Sequence, residues 1–261
     1  MSANSQVKGE TYKRIKTILV SQPKPEQRSP YYDLEKKYGL QIDWRPFIHV
    51  EGLDAKDYRK QRVRPDEYPA VIFTSKNSVD HFFRICKEMR ILMSEETKYF
   101  CLTETIANYL QKFIVYRKRK VFHGERSIQD MASVLKKHKN EKFLLPCSNL
   151  GALDVTSYME AHNYHCQDAV MYRTVSSDLS DLSDVTYDVL VFFSPQGIQS
   201  LFDNFPDFKQ NETRIAVFGN STLKAVEENS LIANIKAPTP EAPSMAAALE
   251  QYLQKSNRDE A

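Results

Sequence analysis

The sequence predicts an α/β protein made of two similar doubly wound parallel-sheet lobes. Short apolar runs alternate with stretches of helical spacing along most of the chain. That βαβα rhythm belongs to parallel sheets covered by helices on both faces. Motifs of the first half return in the same order in the second. The length, 261 residues with 41% hydrophobic and 27% charged, suffices for two soluble cores of modest size.

Taken in order, the N-terminal region offers two strand-like runs, "TILVSQP" (17–23) and "WRPFIHV" (44–50). "YPAVIFTS" (68–75) is the next strand, and "VDHFFRICKEM" behind it carries the apolar spacing of a helix face. The same alternation pairs "KYFCL" with "IANYLQKF" and "EKFLLPCS" with "ALDVTSYMEAH". It then pairs "YDVLVFFS" with "IQSLFDNF" and "RIAVFG" with "LKAVEEN".

The internal repeat sets the domain organisation. "FTSKNSVDHFF" from Phe73 aligns with "FFSPQGIQSLF" from Phe192, and "LTET" (102–105) aligns with "GNST" (219–222). "MASVL" from Met131 aligns with "MAAAL" from Met245. Matches kept in order point to duplication. The first half continues into "FLLPCSN" and "DAVMYRTV", whereas the second runs out of chain, so the two N-terminal runs complete it. Residues 49–175 therefore form a continuous lobe, and 1–48 with 176–261 a discontinuous one. The chain crosses near His49–Gly52 and again near Thr174–Ser177. Doubly wound sheets bind ligands in the βα turns at the carboxyl ends of their strands, and two lobes imply a ligand cleft between them.

Several function classes are excluded. A net charge of +2 does not by itself indicate nucleic acid. The basic clusters at Arg117–Lys120 and within "YRKQRVR" (58–64) lack interleaved aromatics and a matching fold motif, so they read as solvated faces. The N-terminus, "MSANSQVKGETYKR", has no apolar leader, and "VLVFFS" (189–194) is too short to span a bilayer. A cytoplasmic monomer with neither a membrane nor a nucleic-acid partner is expected. Cys86, Cys101, Cys147 and Cys166 are scattered without a C-x-x-C pair and read as core residues. The phosphate-loop, dinucleotide and nucleophile-elbow glycine signatures are absent, and the chain has only seven glycines. His162 and His165 have the spacing of two zinc ligands but no third beside them. Tyr32 and Lys36 have the spacing of a Tyr–Lys pair without a glycine-rich nucleotide turn upstream. No metal and no cofactor is expected.

The βα turns carry the recurring chemistry. Ser75, Lys76 and Asn77 follow one strand, Thr103 and Thr105 the next, and Ser148 and Asn149 a third. In the other lobe Ser194 and Gln196 match the first set; Asn220, Ser221 and Thr222 match the second. Each short hydroxyl or amide alone serves equally as a helix cap. Together, and beside unpaired backbone N–H groups such as those after Gly219, they suit carboxylates held by neutral donors. Lys76 either adds a positive charge or is a surface lysine.

The ordered set "VIFTSKNSV", "LLPCSN", "AVMYRTV", "VFFSPQGI", "AVFGNST" and "KAPTPEAPSMAAAL" resembles the uroporphyrinogen-III synthase family. The resemblance implies two α/β lobes joined by two crossing strands, with both chain ends in one lobe. It implies a cofactor-free enzyme that binds hydroxymethylbilane, a linear tetrapyrrole with an acetate and a propionate on each ring. The enzyme closes this chain while inverting the last ring, giving the uroporphyrinogen III of haem, sirohaem and cobalamin synthesis. By the resemblance, Tyr172 in "VMYRTV" assists departure of the hydroxyl, and Ser221 and Thr222 stand where the family has a threonine pair. Its implied partners are the tetrapyrrole and, transiently, the preceding pathway enzyme. Two departures stand out: Leu102 replaces a frequent glycine, and Leu150, Gly151 and Ala152 follow Asn149 where a basic residue is common. The alternatives are a two-lobed binding or sensor protein that keeps the fold without the reaction and, more remotely, a nucleic-acid binder using Arg117–Lys120.

Overall fold

A computed structural model describes residues 12–257. Most of the N-terminal stretch read above as lacking a leader lies outside the described residues. In chain order the elements are β1 (Thr17–Val20), α1 (Pro30–Tyr38), β2 (Gln41–Trp44), β3 (Ile48–Gly52), α2 (Ala55–Arg59), β4 (Ala70–Phe73) and α3 (Lys76–Met89). There follow β5 (Lys98–Cys101), α4 (Glu104–Leu110), β6 (Val121–His123), α5 (Ala132–Lys137), β7 (Lys142–Ser148), α6 (Leu153–Ala161) and β8 (His165–Ser176). The last are β9 (Val189–Phe192), α7 (Pro195–Asn204), β10 (Arg214–Phe218), α8 (Asn220–Glu228), β11 (Ala233–Ala237) and α9 (Met245–Ser256).

Each strand–helix pair expected from the alternation is present. One run reads differently. "WRPFIHV" is not a single strand: Trp44 ends β2 and Ile48 begins β3. Pro46 lies between them, where it can donate nothing to a ladder.

The strands form a five-stranded sheet, order β11-β10-β9-β1-β2, and a six-stranded sheet, order β3-β8-β7-β4-β5-β6. Neighbours pair in parallel, for example β1 with β9 and β4 with β7, except that β3 runs antiparallel to β8, with the Leu53 N–H donating to the Met171 carbonyl and the Ser177 N–H to the Phe47 carbonyl. Set side by side, β9, β10 and β11 hold the places of β4, β5 and β6, while β1 and β2 hold those of β7 and β8. The N-terminal strands thus complete the second copy of the sheet. The strand in the place of β8 is Gln41–Trp44, mostly upstream of the run read from the sequence.

The chain divides into two compact units. One comprises residues up to His49 and from Val175 onward, and the other is Val50–Thr174. Both divisions fall inside strands, β3 and β8.

Strand periodicity explains why each sheet is covered twice. In β4, Val71 and Phe73 join one cluster with Val79, Phe82 and Ile85 of α3. Ala70 and Ile72 point the other way, toward Leu135 of α5 and Met159 of α6. Successive side chains of a strand take opposite faces, so a run apolar at every position must be covered on both. In the first unit, β9 sends Val189 and Val191 toward Leu249 of α9, and Leu190 and Phe192 toward Ile198 of α7. Each such fully buried side chain contributes about 1.5–3 kcal/mol, so these layers outweigh helix propensity in fixing the fold. Local signals set the helix ends. Pro30 opens α1, and Gly39 closes it in the left-handed region at φ 59°.

Candidate active site

The carboxyl ends of β4, β5 and β7, with the middle of β8, assemble most of the expected residues of the second unit. Ser75 is the N-cap of α3: its hydroxyl accepts from the Ser78 N–H at 3.1 Å, and the Ser78 hydroxyl lies 3.2 Å from the Ser75 N–H. Thr103 caps α4 through the Ile106 N–H. Both oxygens are committed to their helices, as the capping reading allows. Asn77 and Thr105 lie in the first turns of α3 and α4 with exposed side chains. Lys76 is exposed, its ammonium 5.5 Å from the centre of the Tyr109 ring. The Tyr109 hydroxyl in turn donates to Asp80 at 2.8 Å.

Ser148 and Asn149 knit β7 to β8. Ser148 pairs with Tyr172 in register, and its hydroxyl accepts from the Leu150 N–H. Asn149 donates its backbone N–H to the Tyr172 carbonyl and accepts from the Thr174 N–H. Here a polar turn of the sequence serves as backbone scaffold for Tyr172.

Tyr172 is the centre of this group. Its side chain is largely buried and stacks on the His81 ring, centroids 4.9 Å apart and planes 19° from parallel. Burial raises its pKa above the ordinary phenol value, while a hydrogen bond with Ser75 opposes the rise. The phenol is held more firmly in the protonated form. His81, Arg84 and Asp80 were missed because "VDHFFRICKEM" was read only for its apolar face. The available signal was the spacing of Asn77, His81 and Arg84, one polar face of α3 that follows the Ser75 cap.

In the first unit, Ser194 caps α7 through the Gly197 N–H, and Gln196 is half-buried in the first turn. The turn at 219–222 differs in kind. The helix begins at Asn220, so Asn220, Ser221 and Thr222 are its first turn rather than a loop before it. Its N-cap is Gly219 at φ 85°, a conformation that favours glycine, with no capping side chain. The first backbone bond into the cap comes from the Leu223 N–H, which leaves the three preceding N–H groups without an intrahelical acceptor. Asn220 and Ser221 are exposed, whereas Thr222 is fully buried and its hydroxyl has no hydrogen-bond partner among the described residues. An uncapped helix start beside an unsatisfied hydroxyl is prepared for an acceptor.

Features set aside in the sequence have structural occupations. Arg117 pairs with Glu95, and Lys120 with Glu96. Lys60 pairs with Asp57, and Arg64 with Asp66. His162 accompanies the Tyr158 carbonyl, and the Tyr32 hydroxyl donates to the Pro25 carbonyl. Among the described residues no group of three or more His, Cys, Asp or Glu could hold a metal ion. Among them, too, no helix is long and apolar enough to cross a membrane. All four cysteines are free, and burial pushes the Cys86 and Cys101 thiols up to about 12. A cavity of about 450 Å³ in the second unit is lined by Thr97, Tyr99 and Val121, at the amino ends of β5 and β6, away from Tyr172.

A family model described as uroporphyrinogen-III synthase HemD matches residues 31–247. Among curated proteins none matches the chain in sequence. Among solved structures, uroporphyrinogen-III synthetase of Helicobacter pylori is similar, with a TM-score of 0.59 and 17% identity over 92% of this chain and 100% of that one. A mutant uroporphyrinogen III synthase of Thermus thermophilus is similar with a TM-score of 0.54 and 14% identity, over 92% of this chain and 99% of that one. At such identities the structures speak for the fold, and the family match over most of the chain speaks for descent. The chain belongs to the uroporphyrinogen-III synthase family.

Proposed function

We propose that the protein acts as a cyclising hydro-lyase that converts hydroxymethylbilane to uroporphyrinogen III without metal or cofactor. Each unit grips acetate and propionate groups at its own carboxyl edge. In the first unit the uncapped start of α8 and the Thr222 hydroxyl take one carboxylate. Exposed Asn220 and Ser221 flank it, with Gln196 at the neighbouring turn. In the second unit Lys76, Asn77 and Thr105 face the same chemistry, while Ser75, Thr103, Ser148 and Asn149 hold the frame.

The reaction asks for little beyond positioning. Tyr172 donates a proton to the hydroxymethyl oxygen as the C–O bond breaks, and water leaves. The electron-rich substituted carbon of the last ring attacks the resulting azafulvene. The spiro intermediate fragments and recloses with that ring turned over, and a proton is released that restores the phenol. Unaided, the flexible chain closes at the uncrowded carbon, so the work of the protein is to restrict conformation. A buried phenol whose pKa is raised carries its proton when the substrate arrives, as a proton donor must.

One observation carries the reading: at Gly219–Thr222, within the family's motif, the helix start has no capping side chain and the Thr222 hydroxyl has no hydrogen-bond partner among the described residues. The test is the rate at which purified protein consumes hydroxymethylbilane. The proposal expects consumption well above the spontaneous rate and saturable in substrate. A rate equal to the blank would refute it. The scattered free thiols suit a reducing compartment such as the cytoplasm, where the protein is proposed to act as a monomer.

A further inference from the structure

Tyr172 is held from two sides by one face of α3. Arg84 donates its Nε–H to His81 Nδ1 at 3.2 Å. A guanidinium has no acceptor, so Nδ1 must accept and the ring proton must sit on Nε2. The remaining nitrogens of Arg84 are equally committed. Nη2 donates to the Leu53 carbonyl at 2.7 Å and to the Met171 carbonyl at 3.1 Å, and Nη1 donates to Glu88 at 2.7 Å. The Met171 carbonyl belongs to the peptide bond that leads into Tyr172. The guanidinium also occupies space that only glycine leaves: a Cβ on Gly52 would come within 2.8 Å of Nη2. Arg84 therefore fixes the backbone of Tyr172, and through His81 it orients the ring stacked on the phenol.

We propose that Arg84 and His81 are positioning residues for Tyr172, with Arg84 locking His81 as its neutral Nε2–H tautomer and that ring setting the plane from which the phenol donates. The inference rests on the proton-donor role of Tyr172. Protonation of His81 would break the lock, since two N–H donors would then face each other between two cations. The charged groups around the imidazole are Arg84, Asp80 and Glu88 on α3, Tyr172 faces it from β8, and Tyr109 of α4 is bonded to Asp80. Burial and Arg84 both favour the neutral ring.

Nitrogen-15 NMR of histidine-labelled protein reads the tautomer without reference to turnover, with His81→Phe used to assign the signal. A single Nε2–H tautomer is expected near neutral pH, becoming a mixture in Arg84→Met. A mixed tautomer in the unaltered protein, or no change in Arg84→Met, would overturn the proposal. In kinetics, His81→Ala is expected to lower kcat roughly tenfold with KM held within about twofold, and to do far less in a Tyr172→Phe background. His81→Phe keeps a stacked ring and should recover part of kcat. Equal losses in both backgrounds would refute the coupling. A fully active Tyr172→Phe would instead refute the donor role itself, whereas a crippled Tyr172→Phe beside an unaffected His81→Ala would refute only the present inference.

Discussion

Thr222 has its hydroxyl buried with no partner, an arrangement that costs about 1–3 kcal/mol if nothing fills it. That cost makes sense where a ligand supplies the missing acceptor, and it yields a prediction in which stability and function move oppositely. Thr222→Val keeps the shape and removes the orphaned hydroxyl. Thermal unfolding should show about 1 kcal/mol of added stability, while KM for hydroxymethylbilane rises roughly tenfold. Lower stability with unchanged KM would assign the hydroxyl to packing. Tyr172 gives the complementary case. Tyr172→Phe should lower kcat by about a hundredfold, the lower range for a lost general acid, and shift the melting temperature little. Full activity in that variant would leave Tyr172 a core residue. At this scale the sequence was informative about which residues are polar at strand ends and silent about which are already spent. Ser75, Thr103 and Ser194 look like Thr222 in the sequence, yet each caps its own helix, whereas Thr222 begins a helix that glycine caps. Only the position of the helix start, set by Gly219, separates the two roles.

Among elements, α3 carries the most. Its N-cap box orders the turn after β4, and its polar face bears His81 and Arg84. Ser75→Ala should cost about 1 kcal/mol of stability as a lost cap, measured by denaturant unfolding, with a further loss of turnover because Ser75 also bonds Tyr172. Retained stability and turnover together would contradict the cap. The imidazole makes the packing of α3 on β8 sensitive to pH. The pKa of His81 is lowered in the folded protein, by burial first and by Arg84 next. Below the ordinary value of 6.5 the unfolded chain binds the proton more readily than the folded one, so stability falls as pH drops through that region. Melting temperature should decline more steeply with acid in the unaltered protein than in His81→Phe, and parallel curves would remove His81 from the account. The strand–helix alternation was legible because apolar runs and helical spacing are local properties. The split of "WRPFIHV" at Pro46 and the strand at Gln41–Trp44 were not, since the latter is short and only pairing with β1 defines it. The polar face of α3 escaped because periodicity shows which side is buried, not what the other side touches.

At the scale of the whole molecule, duplication is written into the sheets: five strands of each unit follow one order, and the N-terminal strands supply the two that the second copy lacks. The repeat in the sequence foreshadowed this because motifs at strand ends were retained while the surrounding residues drifted. A duplicated edge lined by neutral donors suits a substrate that repeats its own acid groups along a chain. On this account the protein selects among the shapes of that chain and leaves most of the bond-making to the reactive pyrroles. The most direct measurement is the isomer composition of product when hydroxymethylbilane is closed in the presence of the protein. The account predicts that uroporphyrinogen III replaces the type I isomer as the main product; an unchanged preponderance of type I, with the protein folded and in excess, would contradict it.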